Sequence, residues 1–507
     1  MPIQPGGAAL NIANGIREFA RVSPGATAVI DGDQQLTYRE LRDRAARWAN
    51  ALLDRGLTVG DHVAVALGNR LEYPEIACGI AMAGMVMIPL NPRFTTTEAA
   101  FILEHSEAKA VVVEESLLDV VAPAARGIRH IVVIGQREGY PSYEALLAAQ
   151  SPDDPMCAVP EDSPFCIAYT SGTTGQPKGV MISHRSRTLT FYLAATEWGL
   201  GTGRTSLAVA PMYHGAGFAF GYAPVFTGGT VVMLRKWSPE AMLDLAERHR
   251  VQSIFLVPAH AQMLRRLGIE AIRARDLSSL DTLYFNAAAL PFELKSWVFE
   301  AFPNVGVHEL YGSTEAGIVS NLRPVDIHRK PGSVGQPWYM TETRVIGPDG
   351  KEVGYGGVGE LYSRSPYLML GYYKNPEATA ACTTEDGFLT CGDIVRVDDE
   401  GYLYIVGRNS DMIIAGGVNV YPREIEDVLL QHPDVQDVAV VGRPSEEWGE
   451  VVTAFIVLAP GATFDPEALE RHCRQTLAGF KIPRRWHVIP ELPRNAAGKV
   501  VKRDLPD

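Results

Sequence analysis

Apolar positions along the chain fall into two alternating rhythms. The stretch TYRELRDRAARWANALLDRG, from Thr37, places apolar residues at helical spacing, and HVAVAL, from His62, is short and β-branched. The exchange repeats through IACGIAMAGMVMIPL (Ile76–Leu90), AAFILEHSEA and AVVVEE. Such alternation predicts a mostly parallel sheet with helices on its faces. The Ile76 run is shorter than the ~18 residues that suggest a membrane span, and Pro89 interrupts it, so it predicts a buried helix leading into a strand. After about Gly335 the rhythm changes: TRVIGPDGKEVGYGGVGELYSRS carries closely spaced turn signals between strand-like pieces and predicts hairpins. Around IVGRNSDMIIAGGVNVYPREIEDVLL a strand meets a glycine-rich turn and then a helix. Beyond it, VQDVAVVGRP, VVTAFIVLA and PEALERHCRQTLAGF predict a small α+β unit. The expected fold class is therefore α/β, with a large N-terminal domain of parallel-rich sheets and a β-rich subdomain over residues 1–409. A small α+β domain follows over 410–507, the boundary lying at Arg408 to Asp411.

Size agrees with two domains, since 507 residues exceed the roughly 250–300 that one core supports. The net charge of -13 is spread along the chain, which disfavours nucleic acid and anionic membranes as partners. An anionic ligand must then find local positive charge. The cysteines (Cys78, Cys157, Cys166, Cys382, Cys391, Cys473) form no CxxC pair, and the opening MPIQPGGAALNIANGIREFA lacks the basic and apolar regions of a signal peptide. Reduced thiols, a cytoplasmic location and no transmembrane segment are expected.

One loop concentrates chemistry. YTSGTTGQPKGV, Tyr169 to Val180, lies between a strand ending near Tyr169 and strand-like VMIS. Small residues leave backbone N–H groups exposed, the hydroxyls of Thr170, Ser171, Thr173 and Thr174 are donors, and Lys178 adds a positive charge. That set suits a polyphosphate, although glycine and threonine alone also suit a plain surface loop. The GxxxxGK[ST] pattern fails, because Lys178 follows proline and precedes glycine.

The whole string resembles the phosphate-loop signature of the adenylate-forming (ANL) superfamily, which includes acyl-CoA synthetases. ELYGSTEAG at Glu309, FLTCGDIVRVDDEGYLYIVGR at Phe388, SDMIIAGGVNVYPREIE at Ser410 and LPRNAAGKVVKRDL at Leu492 resemble further motifs of that superfamily, in its order. The resemblance covers the chain from about Leu36 to the C-terminus. It implies an ATP-dependent carboxylic acid–CoA ligase (an acid–thiol ligase of the acyl-CoA synthetase branch) that forms acyl-CoA, AMP and pyrophosphate through an acyl adenylate. The alternative is transfer of the acyl group to a carrier-protein thiol or another acceptor. ATP, Mg²⁺ and coenzyme A as substrate are implied, with a small carboxylic acid as partner and a homodimer admitted.

Residue by residue, the resemblance assigns Thr170, Ser171, Gly172, Thr173, Thr174, Gly175 and Lys178 to the phosphates. Ala287, Ala288, Glu309, Tyr311, Gly312, Ser313 and Thr314 are implied to line the nucleotide. Tyr311 would stack on adenine, Thr314 contact a phosphate and Glu315 hold Mg²⁺. Read alone, YGSTE is a turn entering a helix with Thr314 near its N-cap. Asp393 would accept from both ribose hydroxyls, with Arg408 supplying complementary donors. The superfamily usually has Thr-Gly-Asp where this chain has Cys391-Gly392-Asp393, a weaker donor that predicts reduced nucleotide affinity. Lys499 matches the catalytic lysine that bridges the acid carboxylate and the α-phosphate.

Because Lys499 belongs to the small domain, the resemblance implies a C-terminal domain that rotates between two half-reactions, pivoting at Ser410, where most relatives have Asp or Lys. Gly416, Gly417, Trp448, Phe480 and Lys481 are implied to approach CoA, with Ile482 standing where some aryl-CoA ligases carry another cation. The implied acid pocket comprises Tyr213, His214, Gly215, Ala216, Asn286, Ala287, Gly312 and Gly317, and His214 joins the catalytic set. APMYHGAGFAFGY lacks the aspartate that amino-acid-activating relatives carry, which argues for a simple acid, aromatic or medium to long chain. Neither that segment nor YFNAAALP holds an arginine for a second carboxylate. Asn286 has two readings, a hydrogen bond to substrate or to its own loop.

Overall fold

The alternating periods resolve into two large sheets that are parallel at their centres. The structure, a computed structural model, describes residues 9–170, 177–288, 290–415, 418–445, 449–494 and 500–506. One sheet has nine strands; its centre runs Gly306–Ser313, Thr282–Phe285, Ser253–Leu256, Thr205–Ala208, Thr230–Met233 and Thr27–Asp31, all parallel neighbours. Antiparallel strands close both edges, Gly317–Leu322 among them. The other sheet has seven strands, with Pro164–Thr170, Val86–Pro89, His62–Ala66, Ala110–Glu114 and His130–Ile134 parallel. Lys178–Ser183 returns antiparallel to Pro164–Thr170, so Lys178 opens a strand rather than ending a loop.

The helix Gly215–Phe226 joins the two sheets. It is apolar on every side and buried at each residue from Gly217 to Phe226, so it needs cover all round. Phe218 packs on Phe165 of the seven-stranded sheet, and Phe220 packs on Phe255 and Tyr284 of the nine-stranded one. A Cβ at Gly217 would fall 1.9 Å from the carbonyl oxygen of Pro211, so only glycine lets this helix start so close to the preceding turn. The helix His184–Trp198 packs alongside through Phe191 and Trp198. The expected Ile76 run forms the wholly buried helix Glu72–Met82 followed by the strand Val86–Pro89.

His184 begins its helix completely buried, its Nδ1 accepting from the N–H of Ile12 at 3.4 Å. Burial pushes its pKa down to about 3, so the folded protein holds it neutral while the unfolded chain protonates it near its ordinary ~6.5. Stability from this site is full above that value and is lost as pH falls, at about 1.4 kcal/mol per pH unit. Thermal melts at pH 7 and pH 5 should show a larger drop for wild type than for His184→Asn, which cannot take up the proton. Equal drops would refute the assignment.

The hairpins expected after Gly335 form a four-stranded antiparallel sheet, Glu342–Ile346, Val358–Arg364, Leu389–Val397 and Leu403–Arg408. A fourth sheet begins at Ile413 and combines with the helices Pro422–Leu429 and Pro466–Arg474. It has its own core, built from Ile413, Ile425, Val440, Ile456, Leu469 and their neighbours, as an independent unit requires. No helix among the described residues is long and apolar enough to cross a membrane.

Candidate active site

Strand register places the first pair of site residues. Leu389–Val397 and Leu403–Arg408 pair so that Asp393 faces Arg408, and the Arg408 Nε donates to Asp393 Oδ1 at 2.8 Å. Tyr311, from the neighbouring nine-stranded sheet, donates its hydroxyl to Asp393 Oδ2 at 2.6 Å. Each carboxylate oxygen thus keeps a further lone pair for a diol. Burial, then the Asp393 charge, pushes the Tyr311 phenol well above its usual range, so it stays a neutral donor.

YGSTE is not the start of a helix. Gly306–Ser313 and Gly317–Leu322 form a hairpin, with Thr314 and Glu315 at its tip. The reason is a close approach: a Cβ at Gly312 would lie 2.0 Å from the Gly317 carbonyl oxygen, and Gly317 itself has φ +68°. The tip presents Glu315 to Tyr372, whose hydroxyl donates to Oε1 at 3.1 Å. Lys178 Nζ stands 4.9 Å from the centre of the same ring. Tyr372 therefore spaces a cation from a carboxylate at the phosphate end, and burial followed by the Glu315 charge holds its phenol protonated. Sequence reading missed it, because only the tertiary pairing of the short strand Gly371–Tyr372 with Lys178–Ser183 brings it there.

Cys391 meets the hairpin too, its Sγ 3.1 Å from Ser313 Oγ. Burial and then the Glu315 charge push the thiol up to about 12, so it is a neutral, weak partner. Cys391→Thr should strengthen this contact by about 0.5–1.5 kcal/mol and lower the KM for ATP roughly threefold to tenfold. An unchanged or higher KM in steady-state assays would show that the thiol is not what weakens the site.

Glu309 is engaged within the protein. It is 5% exposed, paired with the equally buried Lys295, and accepts from the N–H of Leu290 at 3.4 Å. It anchors one end of the loop from Asn286 to Leu290, and the Asn286 side chain caps the other by accepting from the N–H of Ala287. That bond fits the second of its two readings, a tie to its own loop. Ala287 is held at φ +74°, a left-handed conformation costly for a residue with a Cβ, and it is exposed beside Ala288.

On the acid side, the Tyr213 and His214 rings stand 4.6 Å apart. Burial and then Arg93 lower the His214 pKa, so the imidazole is neutral, and its buried Nε2 has no partner. His214 is also the N-cap residue of Gly215–Phe226 but gives no side-chain cap. Gly215 lies beside Thr314, whose Oγ1 would be 4.0 Å from a Cβ there, so the start of this helix and the hairpin tip adjoin.

In the C-terminal unit Phe480 is exposed, and Lys481 is held by Glu424 at 2.6 Å. Ile482 is buried in that unit's core. Backbone at Ser410 lies in the short turn Asn409–Asp411. Ser171, Gly172, Thr173, Thr174, Gly175, Gly416, Gly417, Trp448, Lys499 and the side chain of Ser410 lie outside the described residues.

A carboxylate with a spare lone pair on each oxygen, and a cation and a second carboxylate at the neighbouring hairpin tip, suit a nucleotide with its phosphates. Comparison gives the family. Residues 16–373 match the model for the AMP-binding enzyme family and 424–499 the AMP-binding enzyme C-terminal domain, so the chain belongs to this family. A feruloyl-CoA synthase of an Amycolatopsis species is 36% identical over 488 residues, 96% of each chain. The solved o-succinylbenzoate CoA synthetase of Bacillus subtilis, in complex with its acyl-adenylate intermediate, aligns with a TM-score of 0.87 at 28% identity, covering 97% of this chain and 98% of that one. An amide bond synthetase from Marinactinospora thermotolerans aligns equally well, with a TM-score of 0.87 at 29% identity and the same coverage.

Proposed function

We propose that this protein is an ATP-dependent carboxylic acid–CoA ligase acting through an acyl adenylate on an aromatic or medium to long chain acid. The observation that carries this reading is the adjacency of Thr314 at the hairpin tip to Gly215 in the acid pocket, within a site whose far end is the Tyr311–Asp393–Arg408 cluster. An acid seated by His214 and Gly215 then lies in line with the α-phosphate of a nucleotide held at Asp393. A carboxylate is a poor electrophile, and joining it to AMP gives it a good leaving group.

Alignment and charge neutralisation do most of the chemistry. Lys178 and Thr314 take phosphate oxygens, with the hydroxyls and amides of Thr170 to Gly175, and Lys499 bridges carboxylate and α-phosphate. Glu315 offers one hard oxygen donor, and no group of three or more His, Cys, Asp or Glu suited to a metal exists among the described residues. A single carboxylate shared with substrate phosphates is how Mg²⁺ is usually held, so the donor set fits that ion. Mg²⁺ would supply neutralisation of the phosphate charge. Rotation of residues 410–507 about Ser410 would exchange Lys499 for Gly416 and Gly417, bringing CoA to the adenylate past Trp448 and Phe480; Lys481 would leave Glu424 to meet a CoA phosphate.

Similarity to an amide bond synthetase favours one second reading, in which the acyl group passes to an acceptor other than CoA. A panel of aliphatic, benzoic, cinnamic and polycyclic acids, assayed for pyrophosphate release with and without CoA and with products identified by mass, separates them. An acyl-CoA product supports the ligase. Pyrophosphate and acyl adenylate with no CoA product would overturn it in favour of another acceptor.

A further inference from the structure

Arg187 is a cation with no counter-ion among the described residues. It occupies the first turn of the helix His184–Trp198, at the head of the apolar stripe formed by Phe191, Ala194 and Trp198. The residue is half-buried, its Nε is fully buried with no hydrogen-bond partner among the described residues, and its guanidinium lies 6.0 Å from the centre of the Phe165 ring. No carboxylate among the described residues acts on it; burial lowers its pKa and only Cys166 opposes that. Other arginines of this chain at comparable depth are paired, Arg17 with Asp154 and Arg44 with Glu75 and Glu144. Taking a guanidinium out of water with nothing opposite it costs several kcal/mol, and natural sites offset that with an anion.

Position indicates where the anion would come from. A Cβ on Gly215 would stand 4.0 Å from Arg187 Nη2 and 4.0 Å from Thr314 Oγ1, so Arg187 and the hairpin tip both border the start of this helix. Two further features point the same way. The twelve-residue helix Gly215–Phe226 starts here without a side-chain cap, its positive end unmet, and His214 Nε2 is buried and unpartnered. Thr314 belongs to the nucleotide wall with Tyr311 and Ser313, whereas Arg187 belongs to the aromatic wall with Phe165. An acid seated over Gly215 with its reacting carboxylate toward Thr314 can present a second group to Arg187.

We propose that Arg187, with the uncapped start of Gly215–Phe226, binds a second anionic group of the acid, a carboxylate or sulfonate, and so selects dianionic acids. A planar guanidinium with paired N–H donors matches either group bidentately. The arginine that the two pocket segments lack in sequence is thus supplied by a third. This inference rests on the ligase reading and narrows its substrate class.

The test uses matched pairs: hexanoate against adipate, and 3-phenylpropanoate against 3-(2-carboxyphenyl)propanoate. Pyrophosphate release gives kcat/KM for each member, and the ratio within a pair is independent of how much variant folds. Wild type should favour the dianion of its better-used pair by about tenfold or more, Arg187→Met should erase that preference, and Arg187→Lys should keep part of it. A ratio unchanged in Arg187→Met, including equal loss on both members, overturns the proposal. If no acid releases pyrophosphate, the ligase reading fails instead, and calorimetric titration with adipate still decides the arginine. Binding that Arg187→Met abolishes supports it, and no difference between the two proteins overturns it.

Discussion

Lys499→Ala is expected to slow adenylate formation by a factor on the order of 10²–10³ while thioester formation from supplied acyl adenylate proceeds almost unchanged. A cation about 4 Å from an anionic oxygen in a site of effective dielectric ~20 contributes on the order of 4 kcal/mol before desolvation, and ~1.4 kcal/mol is one decade of rate. The loss is specific to one step because Lys499 belongs to the C-terminal unit, whose core and sheet are separate from the nucleotide-binding sheets. Under the proposed rotation, a lysine carried on that unit would serve only the half-reaction for which it is present. Single-turnover pyrophosphate release measures the first half, and CoA consumption with synthetic acyl adenylate the second. Equal loss in both would mean that Lys499 supports the fold or the resting arrangement of the units rather than the first step.

How far the sequence revealed this site depends on the range of the interactions. Parallel sheets with covering helices followed from local periodicity, since the helix Tyr38–Asp54 with its Thr37 and Glu40 capping box and the buried run from Glu72 to Pro89 are written in consecutive residues. Asp393, Arg408, Tyr311 and Glu315 were legible through ordered motifs, and the structure joins the first three by hydrogen bonds. Long-range effects were not legible. Tyr372 reaches Glu315 only through an edge-strand pairing, and Lys295 pairs with Glu309 in a buried ion pair between a helix and a strand. YGSTE read as a turn into a helix because Thr314 suits an N-cap, but the contact between Gly312 and Gly317 imposes a hairpin. Arg187 left little trace in sequence, because the buried side of its helix also takes His184, Ser186, Thr188 and Thr190.

Asp393→Asn should raise the KM for ATP roughly a hundredfold and, more tellingly, abolish discrimination against 2′-deoxy-ATP. The carboxylate is 5% exposed and already accepts from Tyr311 and Arg408, one on each oxygen. Those two bonds fix its plane, leaving one lone pair on each oxygen directed at whatever occupies the cleft. A ribose diol uses both, and hydrogen bonds to a charged acceptor contribute about 1.5–3 kcal/mol each. An asparagine keeps the shape but turns one acceptor into a donor that faces either the Arg408 guanidinium or a ribose hydroxyl. Arg408 is 35% exposed at its side chain, so water satisfies part of its lost pairing and the fold survives the change. The nucleotide has no such substitute. Wild type should therefore use ATP better than 2′-deoxy-ATP by about tenfold, and the variant should treat them alike. A variant that loses affinity for both nucleotides while keeping the wild-type ratio would show that Asp393 orders Tyr311 and Arg408 without touching the sugar, which would reassign the diol to another acceptor.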